Sequence, residues 1–100
     1  MIERNVILST LRSSIIGEIY PNIRMIVYKY DHIENNIYLY YYLDREPQDD
    51  DIDSINIVMS LFLSNFKYSE FNEIHEICLF SDKLLSELET FDGIVYARKE

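Results

Sequence analysis

The sequence is poor in the residues that punctuate or staple a chain. Its 100 residues include two glycines, two prolines, one cysteine and no tryptophan. So little glycine and proline excludes a low-complexity linker or a collagen-like chain. It also excludes a glycine-rich phosphate loop, because Gly17 and Gly93 stand far apart. The lone cysteine, Cys78, excludes an internal disulfide and any Cys-x-x-Cys zinc pattern. Bases are scarce too: nine Lys and Arg face eighteen Asp and Glu, a formal charge of −9 and a pI near 4.5. Such a field repels nucleic-acid phosphates and anionic membranes, and it speeds encounter with a basic macromolecule. No apolar run approaches the roughly 18 residues that span a bilayer. The amino-terminal stretch is broken by Glu3, Arg4, Asn5, Ser9, Arg12, Ser13 and Ser14, which argues against a signal peptide and for a cytoplasmic protein.

What is present is a core-forming composition, 48% hydrophobic and 14% aromatic, in a length that suits a single domain over 1–100. Ile7, Leu8, Leu11, Ile15 and Ile16 fall on one helical face and predict a helix over about 3–16, stopped by Gly17 and Pro21. Ile23, Met25 and Val27 then alternate with Arg24, Ile26, Tyr28 and Tyr30, and after a polar turn Ile37, Leu39, Tyr41 and Leu43 alternate with Tyr38, Tyr40 and Tyr42. Period two in β-branched and aromatic residues predicts a hairpin with one mostly aliphatic face and one tyrosine face. The acidic stretch from Asp44 opens a second helix, with Pro47 in its first turn and a stripe of Ile52, Ile55, Val58, Met59, Phe62 and Phe66. Residues 71–80 and 94–98 read as strands, with Cys78 as a small core residue. Residues 81–93 have no clear period, and Leu84, Leu85 and Leu88 are expected to tuck inward. The expectation is an α+β fold of order α-β-β-α-β-β, a mainly antiparallel sheet with two helices packed on one face.

Catalytic constellations are thin. His32 and His75 form no His-Glu-x-x-His pattern, and the serines at 9, 13 and 14 lie on a helix without a nucleophile elbow. The run around Asp49 has no central glycine for a calcium loop. No metal, cofactor or enzymatic activity is therefore expected. A hydrolase working through two carboxylates would need one of them in a low-dielectric cleft, and the acids here read as a solvated helix start.

Two features point outward instead. Asp44, Glu46, Asp49, Asp50, Asp51 and Asp53 place six carboxylates within ten residues, offset locally only by Arg45, and a basic partner would relieve their mutual repulsion. Tyr28, Tyr30, Tyr38, Tyr40 and Tyr42 join a large apolar contact area to polar tips, as interface residues do. The acids and Tyr38, Tyr40 and Tyr42 are the candidate partner-binding residues. The rival reading is a non-catalytic adaptor that self-associates, as a weak homodimer, through its tyrosine-rich sheet face. In a third, residues 81–93 cover part of that face.

Three stretches carry a resemblance: LSTLRSSIIGEIYPNIR (Leu8 to Arg24), YYYLDREPQDDDID (Tyr40 to Asp53) and VYARKE (Val95 to Glu100). In order and character they resemble small bacterial toxin-immunity proteins of the contact-dependent growth inhibition type. The family pattern runs a helix into G-E-I-x-P-x-x-R, ends a strand in D-G-E, and closes on Y-x-R-K-E. This chain departs from it at Arg45, where the pattern has glycine, and residues 81–93 do not align. The resemblance implies a cytosolic antidote that occludes the active site or substrate path of a cognate toxin domain. Such toxins are often nucleases with basic clefts, so the carboxylates would stand in for phosphates.

Overall fold

Ile7 and Leu11, one helical turn apart, are fully buried and anchor the first helix, α1 (Arg4–Ser14). The computed structural model describes residues 2–67 and 70–100. Within α1 the Thr10 and Ser14 hydroxyls donate to the carbonyls of Val6 and Thr10, both at 2.7 Å. The helix ends two residues before the expected 16. Gly17 turns at φ +83°, a left-handed conformation that a Cβ disfavours. Ile16, expected on the apolar face, is thrown outward to 78% exposure.

Strands β1 (Ile23–Asp31) and β2 (Asn36–Leu43) form the antiparallel hairpin. Its turn is set by the Asp31 carboxylate, which accepts from the amides of Ile33 and Glu34, and by Asn35 at φ 59°. The second helix, α2 (Asp49–Leu63), starts later than the sequence suggested. Gln48 is its N-cap, so Pro47 lies before the helix and not in its first turn, and the helix stops at Leu63, short of Phe66. The crossover through α2 brings β3 (Glu73–Phe80) in parallel to β2, with eight consecutive pairs from Asn36–Glu73 to Leu43–Phe80. A short 3-10 turn (Leu85–Glu87) leads to β4 (Gly93–Ala97), antiparallel to β1. The sheet order is β3-β2-β1-β4. The architecture is the expected α+β order, with a sheet that is mostly antiparallel and one parallel pair.

Both helices pack on one face. Ile7 and Leu11 of α1 join Ile55, Val58, Met59 and Phe62 of α2 over Ile26, Tyr28, Tyr30, Ile37, Leu39, Tyr41 and Leu43. Cys78, half-buried, packs against this cluster, and burial pushes its thiol pKa up to about 11. Tyr28 and Tyr30 are therefore core residues and do not belong to an outward tyrosine stripe. The register explains the correction: Tyr28 pairs with Leu39 and Tyr30 with Ile37, and cross-strand partners share a face. The irregularity between Ile23 and Met25 lets Ile23 sit opposite Leu43 in the same core while Met25 faces the other way. Gly93 approaches the Tyr28 ring so closely that a Cβ there would lie 3.0 Å from its edge.

The opposite face is partly covered. Met25, Val27, Tyr42 and Leu88 form a second buried cluster, with Tyr40 and Leu85 against it. The stretch 81–93 thus supplies a lid of Leu85 and Leu88, whereas Leu84, expected inside, is 69% exposed.

The assignment of faces is tested by comparing two tyrosines. Tyr28→Ala empties a fully buried site and is expected to cost about 3 kcal/mol or more in urea unfolding. Tyr38→Ala, at a half-buried ring on the other face, is expected to cost about 1 kcal/mol. Equal losses would contradict the register.

Candidate functional site

The acidic approach to α2 divides into inward and outward carboxylates. Asp51 is fully buried. Its Oδ2 accepts the Gln48 amide at 2.8 Å, closing the first turn of α2, and its Oδ1 accepts from the Tyr20 hydroxyl at 2.5 Å and Arg45 Nη2 at 3.0 Å. Burial opposes its ionisation, but these donors hold its carboxyl below the usual carboxylate range. Burial and the adjacent Asp51 charge push the Tyr20 phenol well above its ordinary value. Asp51 is therefore an internal brace, unavailable to a partner. Because it takes the inward position, the buried stripe of α2 runs Asp51, Ser54, Ile55, Val58, Met59 and Phe62. Ile52, expected in the stripe, is 55% exposed.

Asp44 is on the surface but occupied. It accepts from Arg98 Nη1 at 2.8 Å and Asn22 Nδ2 at 3.0 Å, and the Arg98 bond, ahead of the Asn22 bond, lowers its pKa. Arg98 also donates to the Pro21 carbonyl and to Glu100. Glu100 receives the buried Arg24 guanidinium in a two-pronged pair at 2.6 and 2.8 Å, while Arg24 Nη1 donates to the Ser81 carbonyl. The Arg24 bond first, then Arg98, holds the Glu100 carboxyl down to about 2. The three stretches that carry the resemblance meet here: Pro21, Asn22 and Arg24, then Asp44 and Arg45, then Arg98 and Glu100. Arg45 has no positive φ, so its backbone needs no glycine, and its side chain instead serves Asp51.

Glu46, Asp49, Asp50 and Asp53 remain exposed. Asp50 and Asp53 border an open groove of about 510 Å³ between α2 and the chain leaving α1, lined also by Glu18, Tyr20, Arg45 and Ile57. Three carboxylates against one guanidinium make it an anionic groove. It can attract and orient cationic side chains.

The tyrosines lie elsewhere. Tyr38, Tyr40 and Tyr42 project from the sheet face opposite the helices, so the two predicted features do not form one continuous surface. Tyr42 is 6% exposed, and its hydroxyl donates to the Glu89 carbonyl at 2.8 Å. Tyr40 is half-buried and stacks on Phe91 at 4.5 Å, and Tyr38 stacks on His75 at 4.6 Å. Lys29 Nζ lies over both Tyr38 and Phe91, at 5.3 and 6.0 Å. What faces outward is a short aromatic row with a lysine, in place of a five-tyrosine patch. Sequence reading missed His75 and Phe91 as members, and the Arg24–Glu100–Arg98–Asp44 chain altogether. A Gln-x-x-Asp spacing at Gln48 and Asp51 was the available sign of a reciprocal helix cap.

His32 is exposed in the hairpin turn, and His75 pairs with Glu73 at 3.0 Å. Among the described residues, no group of three or more His, Cys, Asp or Glu is arranged to hold a metal ion, and no helix is long and apolar enough to cross a membrane.

A family model described as MafI2 immunity protein matches residues 3–100. No curated protein matches the chain. The match bears out the expectation of toxin immunity, but it names a different system from the contact-dependent growth inhibition type.

The braces make two expectations. Asp51→Ala leaves the Arg45 guanidinium and Tyr20 hydroxyl without their acceptor and is expected to cost about 2 kcal/mol or more in chemical denaturation. Because the folded pKa of Glu100 is depressed, its contribution is complete above the ordinary glutamate range and disappears as pH falls towards about 2. Glu100→Gln should therefore flatten the acid limb of a stability–pH profile. An unchanged limb would remove Glu100 as its source.

Proposed function

The chain belongs to the MafI2 immunity protein family, and on that premise we propose that it neutralises a cognate toxin domain by steric and electrostatic occlusion. The observation that carries the mode of action is the set of outward acids, Glu46, Asp49, Asp50 and Asp53, on a chain of net charge −9. Their carboxylates, which have no ion-pair partner among the described residues, attract a basic surface and steer its approach. A nuclease presents such a surface where it holds phosphates, so a basic nuclease is the toxin class that fits. Asp44 and Asp51, committed to internal partners, contribute to the field and to the rigidity of the acidic edge. Tyr38 and Tyr40 are a secondary contact on the opposite sheet face. In this role the chain acts in the cytoplasm, without a cofactor, and performs no reaction.

Self-association through the tyrosine face has less support, because Leu85, Leu88 and Phe91 occupy part of that face.

The test is association kinetics with a purified cognate toxin domain. Reversing Glu46, Asp49 and Asp53 to lysine is expected to slow association about tenfold or more at low salt and to flatten its salt dependence. Unchanged kinetics would take the acids out of the mechanism, and toxin activity that persists beside a saturating excess of this chain would end the immunity reading.

A further inference from the structure

The two ends of the sheet differ. β4 has five residues, and its pairing with β1 is irregular between Ile26 and Val27. β3 pairs with β2 through eight consecutive residues without a shift, and its sequence, EIHEICLF, contains no proline, glycine or lysine. As the terminal strand of the order β3-β2-β1-β4, it offers a row of amides and carbonyls on its outer side. Proteins usually blunt such an edge with a bulge, a proline, a lysine or a covering segment. Ser81 donates its amide to the Leu43 carbonyl at 3.1 Å. Backbone groups alternate along a strand, so the amides of Phe80, Cys78 and Glu76 point away from β2.

The side chains specify what can pair there. Ile74, Leu79 and Phe80 are large apolar residues left exposed along the strand. Glu73, which meets the His75 imidazole at 3.0 Å, and Glu76 are exposed on its two faces, and no lysine or arginine bridges either of them among the described residues. A second copy of the chain would bring another charge of −9 to this edge, whereas a cationic segment gains on approach.

We propose that the outer edge of β3 receives an extended segment of the cognate toxin, bearing lysine or arginine among apolar residues, as a fifth strand. The inference rests on the toxin-binding reading above and specifies its contact. Main-chain pairing supplies the affinity. Glu73 and Glu76 select cationic side chains on the incoming strand, and Ile74, Leu79 and Phe80 select apolar ones.

Amide hydrogen exchange with and without a purified cognate toxin domain tests this directly. The amides of Glu76, Cys78 and Phe80 should slow at least tenfold in the complex. Glu76→Pro removes one outward amide at an edge position where proline is tolerated. It should weaken toxin binding at least tenfold while leaving the far-ultraviolet circular dichroism and melting transition near those of the parent. Binding that leaves these three amides unprotected overturns the edge proposal and spares the immunity reading. Absence of any binding overturns both. Protection in the chain alone that grows with its concentration would identify a second copy as the occupant and overturn the proposal. If the proline variant fails to fold, exchange in the parent chain still decides.

Discussion

Asp51 has no solvent exposure, and three donors from three places in the chain reach its two carboxylate oxygens. A carboxylate taken out of water is tolerated only when its oxygens are so supplied. Satisfying it fixes where α2 begins, holds Tyr20 against the start of that helix, and ties Arg45 across the turn from β2. The directions of the neighbouring acids follow from it. With Asp51 turned inward, the helical period carries Asp50 and Asp53 to the groove and leaves Asp49 in solvent. The outward placement of the acids at the start of α2 depends on one carboxylate that is itself fully buried.

A second constraint ties the last described residues to β1 and to the turn after β2. Arg24 is buried in β1 and reaches Glu100, and Arg98 completes the link to Asp44 and Pro21. Residues from the segment after α1, the end of β2 and the last few positions are held in one ionic chain. Its exposed pairs contribute modestly to stability, but the buried Arg24 makes the geometry specific. Together with Asp51 it ties the approach to α2 to the sheet and to the last residues through ionic contacts. Preorganisation of this kind lowers the entropy lost when a partner docks.

The sheet distributes the remaining surfaces. Helices cover one face, and Leu85 and Leu88 cover part of the other. Among the surfaces left open are the acidic start of α2, the short aromatic row of Tyr38, His75, Tyr40 and Phe91, and the edge of β3. A toxin-immunity family fits a molecule whose chemistry resides in surfaces and charge. Under the proposed occlusion, the free acids would attract the partner and the spent ones would hold the fold that presents them.

Local patterning determined a good deal of this protein. Period 3.6 in Ile7 and Leu11, and in Ile55, Val58, Met59 and Phe62, marks two helices, and period two around Tyr38 to Leu43 marks a strand, because these repeats follow from the geometry of chain neighbours. Scarce glycine and a single cysteine likewise limit the chemistry without reference to a fold. Tertiary structure alone decided the rest. Alternation shows that Tyr28 and Tyr30 share a face, but only pairing with Leu39 and Ile37 shows that it is the core face. Composition shows that acids crowd the start of α2, but only the partners Tyr20, Arg45 and Arg98 separate the bound carboxylates from the free ones. The parallel alignment of β3, and hence the exposed edge, depends on how α2 returns the chain. Register, burial and ion pairing join residues far apart in sequence, and no local period encodes which of them will meet.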